Sequence, residues 1–251
     1  MVQTIPDPQT SSLSFEEYLV FQGKPDVMYE LFRGQLIPMP TPTLLHTSIC
    51  QYLVYVLQQL VVTEGLDWVA KETVGVRTED NSARIPDVLL CSQSLWEGIQ
   101  LRSGAGVLNF GEIPHLVIEV TSENWREDYI RKRSEYALID IPEYWIVDPT
   151  RQQICVCSHP DGLYGYEQTE FKPGEMLRSS LLPNLHLPVN LILAPPLVED
   201  LIRQQRDRQQ AELEQERQRA EAERQRTEAE RQRAERLAAK LRQLNIDPDL
   251  L

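Results

Sequence analysis

The sequence has few of the features that mark membrane-spanning, secreted or zinc-binding proteins. It contains no apolar run of about 18 residues, so no membrane-spanning helix is expected. Its N-terminus has no basic stretch followed by an apolar run, so no secretory signal is predicted. The four cysteines form no CxxC pair, which disfavours zinc. We therefore expect Cys50, Cys91, Cys155 and Cys157 to be reduced core thiols of a cytoplasmic protein.

Positive charge is scarce in the part of the chain that is expected to fold. Residues 1–198 carry 25 acidic and 13 basic side chains, whereas residues 199–251 carry 13 acidic and 12 basic ones. The whole chain contains only five lysines. An acidic domain repels nucleic acid at long range, so a nucleic-acid substrate would have to be reached through local arginines.

Apolar periodicity and turn residues predict an α/β domain over residues 14–196, after a flexible arm over 1–13. Helices are expected at 14–22 and at 43–65, the second closed by Gly65. Residues 79–84 are predicted to form a turn, and residues 93–113 a loop with some local structure. Strands are predicted at 67–78, 85–92, 115–122 and 143–149, with hairpins around Arg33-Gly34 and Asp161-Gly162.

The segment 115–149 has the order strand, helix, strand, with the helix over 123–141. Short links of this kind imply a right-handed crossover between parallel strands. We therefore expect a mixed sheet covered by helices.

The C-terminal segment 197–251 has a different character. Proline and glycine are absent until Pro248, and a seven-residue unit recurs as QERQRAE, AERQRTE and AERQRAE. Glu–Arg pairs three and four apart favour a helix about 70 Å long. Its apolar seam is thin, so the pattern leaves two alternatives open, a solvated charged helix and a weak coiled coil that makes a homo-oligomer.

A carboxylate inside an apolar strand is the main chemical signal. Glu119 lies within LVIEV, and Asp87 precedes the apolar strand VLL. A buried, unpaired carboxylate costs several kcal/mol, so we expect a strand end open to solvent, a cationic partner or a metal ion to compensate this cost. If the two strands are neighbours, a divalent cation between the carboxylates would relieve their repulsion. Oxygen ligands indicate Mg²⁺, or Mn²⁺, rather than zinc.

Lys132 completes this predicted site. Asp128, Lys132 and Tyr136 are four residues apart, on one face of the predicted helix. If that helix packs on the preceding strand, the ammonium can reach Glu119. Two metal-binding carboxylates and an ammonium suit phosphodiester hydrolysis, because the amine can orient the attacking water or stabilise charge on the phosphate oxygens.

The motifs IPDVLL and HLVIEVTS resemble the PD-(D/E)XK nuclease superfamily. The usual lysine slot, two residues after the glutamate, holds Thr121 here, whereas some members carry the lysine on the following helix, as Lys132 would be. Residues 118–149 look very similar to the Uma-type putative restriction endonuclease family, and YELFRGQL and His46 extend the resemblance, which covers about residues 14–195. It implies a restriction-endonuclease-like fold, that is, a mixed central sheet flanked by helices, and a nuclease site at these residues, but not the natural substrate. From the arrangement of Asp87, Glu119 and Lys132 we predict a metal-dependent DNA endonuclease.

Several other residues are candidates for supporting roles. Glu30, His46 and Asp128 are possible auxiliary groups of the site, although each also fits an ordinary structural role. DNA contact would fall to arginines near the site, namely Arg84, Arg126, Arg131 and Arg133. The acidic domain and the charged extension also support a second hypothesis, a non-catalytic protein with the nuclease fold that assembles through its C-terminal helix.

Overall fold

The computed structural model describes residues 12–25, 27–122, 124–161 and 165–243. Contacts divide the chain into two compact units, Met1–Val198 and Glu199–Leu251. Of the predicted arm over 1–13, only Ser12 and Leu13 are among the described residues. Gly162 of the predicted hairpin turn lies outside them.

Thirteen strands and six α-helices are described, together with one π-helical turn at Glu127–Lys132. The helices are α1 (Phe15–Leu19), α2 (Leu44–Glu64), α3 (Gln93–Gln100), α4 (Arg133–Leu138), α5 (Val189–Leu193) and α6 (Val198–Gln243). The strands are β1 (Tyr29–Phe32), β2 (Gln35–Pro38), β3 (Trp68–Lys71), β4 (Gly75–Glu79), β5 (Ser82–Arg84), β6 (Val88–Ser92), β7 (Val107–Leu108), β8 (Leu116–Val120), β9 (Glu143–Asp148), β10 (Gln153–Asp161), β11 (Gly165–Phe171), β12 (Met176–Leu177) and β13 (Leu187–Pro188).

The larger sheet has six strands in the order β11–β10–β9–β8–β6–β3. Strand β8 pairs parallel with β9 and antiparallel with β6, so the strand that carries Glu119 is central. Every residue of β8 and β9 is buried, which explains their almost continuous apolar sequence. The predicted mixed sheet flanked by helices, followed by a long charged helix, is confirmed.

A second sheet was not predicted. It has the order β2–β1–β5–β4–β7 and includes the hairpin at Arg33-Gly34. Both turn residues have positive φ, 48° and 81°, as a tight two-residue hairpin requires. This sheet matters for the site because β1 carries Glu30 and β5 carries Arg84.

Helix α2 begins and ends where its sequence predicts. The hydroxyl of Thr43 accepts a hydrogen bond from the backbone N–H of His46 (3.2 Å), which caps the first turn. Gly65 closes the helix in the left-handed region at φ 63°. Ile49, Leu53 and Leu57 form a buried stripe along the helix, which fixes the rotation of His46 relative to the sheet.

Three local predictions differ from the structure. The local structure expected within the loop at 93–113 is α3 and β7, and α3 begins where Ser92 caps the helix by accepting a hydrogen bond from Leu95 N–H (3.3 Å). The turn predicted at 79–84 was wrong for residues 82–84, which form strand β5 and are buried against β1 and β4. The helix predicted at 123–141 is present but contains a π-helical turn at Glu127–Lys132, directly before α4.

Helix α6 is 46 residues long, or about 69 Å at 1.5 Å per residue. It leaves Leu213 and Leu237 exposed, and assembly through this helix stays a prediction. Among the described residues, no helix is both long enough and apolar enough to cross a bilayer. All four cysteines are buried and carry free thiols, as predicted.

Candidate active site

Strand pairing places the two predicted carboxylates side by side. Val88 of β6 pairs with Ile118 of β8, and because the strands are antiparallel, Asp87 comes opposite Glu119. The backbone N–H of Val120 donates a hydrogen bond to Oδ2 of Asp87 (2.7 Å). The aspartate side chain is thus held against the strand that carries Glu119.

Glu119 is buried, with 3% of its surface exposed, and both of its oxygens have partners. The Tyr136 hydroxyl donates to Oε1 (2.9 Å), and the Lys132 ammonium lies 3.0 Å from Oε2. Burial raises the pKa of the Glu119 carboxyl well above its usual range. Lys132 opposes this rise, whereas the nearby carboxylate of Asp87 adds to it.

The Lys132 ammonium lies among three carboxylates although only 8% of the residue is exposed. Besides Glu119, it contacts Oε1 of Glu30 (3.3 Å) and Oδ1 of Asp128 (3.6 Å). Burial disfavours the charged amine, but the surrounding carboxylates outweigh it and hold the pKa of Lys132 above its ordinary value. The ammonium therefore stays charged at neutral pH.

The π-helical turn brings Asp128 and Lys132 to the site together. Such turns occur mostly as local insertions in α-helices, often at functional sites. The Tyr144 hydroxyl donates to the backbone carbonyl of Asp128 (3.1 Å), which anchors the turn to β9. Burial raises the pKa of the Asp128 carboxyl to about 6, with Lys132 opposing the rise and Asp87 adding to it.

Behind this group lies a buried ion-pair network centred on Arg84, which is 2% exposed. Its guanidinium forms two hydrogen bonds with Glu135 (2.7 and 2.6 Å) and one with Oε2 of Glu30 (3.0 Å). Thr78 also donates to Glu135 (3.1 Å). Glu30 therefore bridges Arg84 and Lys132, which orients the ammonium.

The buried network contradicts one prediction from the sequence and contains one charged residue that was not identified from the sequence. The predicted DNA contact by Arg84 is contradicted, because this side chain is buried and bound to carboxylates. Glu135 was overlooked because it lies in the charged run RKRSEY, which resembles a solvated helix face. The position of Glu135 directly before the core residue Tyr136 was the one sequence feature that indicated its burial.

Helix α2 contributes His46 and Cys50 to the site. The His46 Nε2 atom lies 3.0 Å from Oδ1 of Asp87. Burial disfavours the charged imidazole, but this hydrogen bond and the negative charges of Asp87 and Asp128 together outweigh it and raise the pKa of His46. The donor atoms of His46, Cys50 and Asp87 all lie within 4.8 Å of one another. Sequence reasoning missed Cys50, although its spacing of four from His46 was a usable signal.

The three remaining predicted DNA contacts differ in accessibility. Arg131 is exposed, pairs with Glu127 (2.7 Å), and lies over the Phe32 ring at 4.6 Å. Arg126 is exposed and lies 4.7 Å from the Trp125 ring centre. Arg133 is half-buried and donates to Gln168 (2.5 Å). Arg126 and Arg131 thus remain the better candidates for phosphate contact.

The donor set fits a divalent cation. Glu30, Glu119 and Asp128 contact the single ammonium of Lys132, the charge of Asp87 also acts on it, and Arg84 is shared between Glu30 and Glu135. Burial raises the pKa values of Glu119 and Asp128, and the neighbouring carboxylates add to the rise. Each carboxylate oxygen has two lone pairs, so the existing hydrogen bonds leave capacity for coordination. A hard cation would relieve the repulsion.

Comparisons with known proteins agree with this architecture. The model of a family described as "Putative restriction endonuclease", Uma2, matches residues 15–190. The crystal structure of a putative nuclease belonging to DUF820 from Anabaena variabilis ATCC 29413 is similar in fold, with a TM-score of 0.54 and 20% sequence identity. That similarity covers 72% of this chain and 98% of the other chain. No curated protein matches the chain.

Proposed function

Because the chain belongs to the Uma2 putative restriction endonuclease family, we propose that it is a metal-dependent endonuclease that hydrolyses phosphodiester bonds in DNA. The observation that supports this proposal most directly is the contact of 3.0 Å between the Lys132 ammonium and Glu119, beside Asp87. A buried amine among carboxylates at the ends of two interior strands is costly to maintain. Such an amine suits charge stabilisation at a reacting phosphate.

Asp87 and Glu119 are the residues that would hold Mg²⁺, or Mn²⁺. When bound, the cation would polarise the phosphate and lower the pKa of a coordinated water. Val120 N–H and His46 fix the two oxygens of Asp87, and Tyr136 fixes one oxygen of Glu119. These bonds orient the two carboxylates before any ligand arrives, so little reorganisation is needed.

Lys132 has the role of a fixed positive charge. Hydrolysis forms a bond between the water oxygen and phosphorus and breaks the bond between phosphorus and one ester oxygen. The attacking water gives up one proton, and the departing ester oxygen takes up one. Negative charge develops on the phosphate oxygens during this step, and a preorganised ammonium stabilises it. Glu30 and Asp128 hold the ammonium in place, since both carboxylates contact it.

The DNA backbone would approach over Arg126 and Arg131, which are exposed and close in sequence to Asp128 and Lys132. Because residues 1–198 carry a large acidic excess, this approach depends on few cationic contacts. Binding should therefore weaken as salt rises, with a slope set by this small number of phosphate contacts.

The test is cleavage of supercoiled plasmid with Mg²⁺ or Mn²⁺ by the wild type, Glu119→Gln and Lys132→Met. We expect each substitution to lower the cleavage rate by about 100-fold or more, as loss of one transition-state contact does. Glu170→Gln, an exposed carboxylate on β11, is the matched control and should leave the rate unchanged. Equal rates in all four proteins, or no cleavage with any divalent metal, would contradict the proposal and favour a non-catalytic role.

A further inference from the structure

His46, Cys50 and Asp87 have the geometry of a three-ligand metal site. His46 and Cys50 are four residues apart on α2 and thus share one face of the helix, opposite Asp87. Their donor atoms lie within 4.8 Å of one another. Tetrahedral Zn²⁺, with bonds of about 2.0–2.3 Å, requires donors about 3.5 Å apart, so side-chain rotations suffice to close the site.

The donor chemistry differs from that of the Asp87–Glu119 pair. Imidazole and thiolate donors suit Zn²⁺, Co²⁺ and related ions, whereas Mg²⁺ does not take sulfur. Three protein ligands leave a fourth position for water or another carboxylate. The exposed Glu72 is near enough for the charges of Asp87 and His46 to act on its carboxyl, which makes it a candidate for the fourth ligand.

The Cys50 thiol has no evident role in the hydrolytic site. It is buried, and burial raises its pKa well above the ordinary thiol value, so the sulfur is protonated and inert in the metal-free protein. Metal binding would release the thiol proton to water and form the metal–sulfur bond. A thiol held beside an imidazole and a carboxylate is therefore poised for a thiophilic ion.

We propose that His46, Cys50 and Asp87 bind a thiophilic divalent ion such as Zn²⁺, and that this ion excludes the Mg²⁺ that supports cleavage. The exclusion follows because both ions require Asp87. This regulatory consequence rests on the proposed endonuclease activity, whereas the binding site itself does not. The site would make the protein active with Mg²⁺ and inhibited by Zn²⁺.

The first experiment measures metal binding without DNA. The full-length protein is titrated with Co²⁺ while the thiolate-to-cobalt charge-transfer absorption is recorded, and with Zn²⁺ by calorimetry. Cys50→Ser should lose the absorption band and weaken Zn²⁺ binding by about 10-fold or more, since even loss of an outer-shell partner costs 10–100-fold. Cys155→Ser is the control, because its thiol lies 3.8 Å from Cys157 in another buried pair.

The result that would overturn the proposal is equal Zn²⁺ affinity in the wild type and Cys50→Ser, or loss of the absorption band in Cys155→Ser instead. Cys50→Ala serves as a second variant, and thermal unfolding verifies that each variant is folded. In the cleavage assay, Zn²⁺ should inhibit Cys50→Ser less than it inhibits the wild type, with each rate expressed relative to that protein's own rate in Mg²⁺ alone. A wild type that binds Zn²⁺ through Cys50 but cleaves nothing with Mg²⁺ would support the site and refute the proposed activity.

Discussion

The backbone N–H of Val120 donates a hydrogen bond of 2.7 Å to Oδ2 of Asp87, and this bond ties the start of β6 to the end of β8. It holds the aspartate beside Glu119 although the two residues are 32 positions apart in the chain. The opposite oxygen of Asp87 faces His46. One side chain thus links two strands and a helix at the candidate site.

Replacing Asp87 should separate its chemical role from its structural one. Asp87→Asn keeps an oxygen that can accept from Val120 N–H but removes the negative charge. We expect cleavage to fall by about 100-fold or more and thermal stability to change little. Plasmid cleavage and a thermal melt measure the two effects. Asp80→Asn, at an exposed turn, should change neither. Full activity in Asp87→Asn would remove this residue from the metal site.

Lys132 should be as important for stability as for activity. Lys132→Met leaves Glu119, Glu30 and Asp128 without their shared cation, and breaking a buried ion pair in this way costs about 3–5 kcal/mol. Denaturant unfolding measures this loss. Adding Glu119→Gln to Lys132→Met should recover part of it, because one buried carboxylate is then absent. Purely additive effects of the two substitutions would argue against a coupled pair.

The stability of the metal-free protein should depend on pH through Asp128. The pKa of this carboxyl rises from about 3.9 in an unfolded chain to about 6 in the fold. A raised pKa stabilises the fold at low pH, and this contribution is lost as the pH rises through the folded value. The free energy of unfolding, relative to Asp128→Asn, should therefore fall by on the order of 2–3 kcal/mol between pH 4 and pH 7.

Denaturant melts across that pH range, in chelator, would measure the effect. Asp140→Asn is a suitable control because Asp140 is exposed and its positive φ of 60° tolerates asparagine. A wild type and an Asp128→Asn variant with parallel pH profiles would contradict the assignment. Saturating Mg²⁺ should reduce the difference at pH 7, since the cation compensates the same charges.

Substitution of Arg84 should lower the stability of the fold, whereas substitution of Arg131 should lower the affinity for DNA. Arg84→Met leaves the buried Glu135 without its cation, leaves Glu30 with Lys132 alone, and should destabilise the fold by about 3–5 kcal/mol. Arg131→Ala affects an exposed side chain, so stability should change by no more than about 0.5 kcal/mol. The DNA affinity of Arg131→Ala should fall. The slope of log K against log[salt] should become shallower by about one, as expected when one phosphate contact is lost. Unfolding melts and binding titrations at several salt concentrations distinguish the two roles.

The sequence alone specified most of the larger sheet. Residues 115–120 and 143–148 have almost continuous apolar runs, which indicate buried parallel strands, and the segment between them has the helical period. The sequence predicted Asp87 beside Glu119 only if their strands are neighbours, and the pairing of β6 with β8 in the structure meets that condition. The order strand, helix, strand also placed Lys132 close to Glu119, because a helix after a strand packs back on the sheet.

Only the tertiary structure decided which charged residues are buried. Arg84 and Glu135 are 51 residues apart, and each lies in a local context that is typical of the surface. Local periodicity carries no information about which distant cation compensates a given carboxylate. The π-helical turn, the second sheet and the contact of Cys50 with His46 and Asp87 likewise depend on long-range packing. Local sequence therefore determines which side of each helix or strand is apolar. The pairing of charged residues in the site is determined only when those helices and strands pack together.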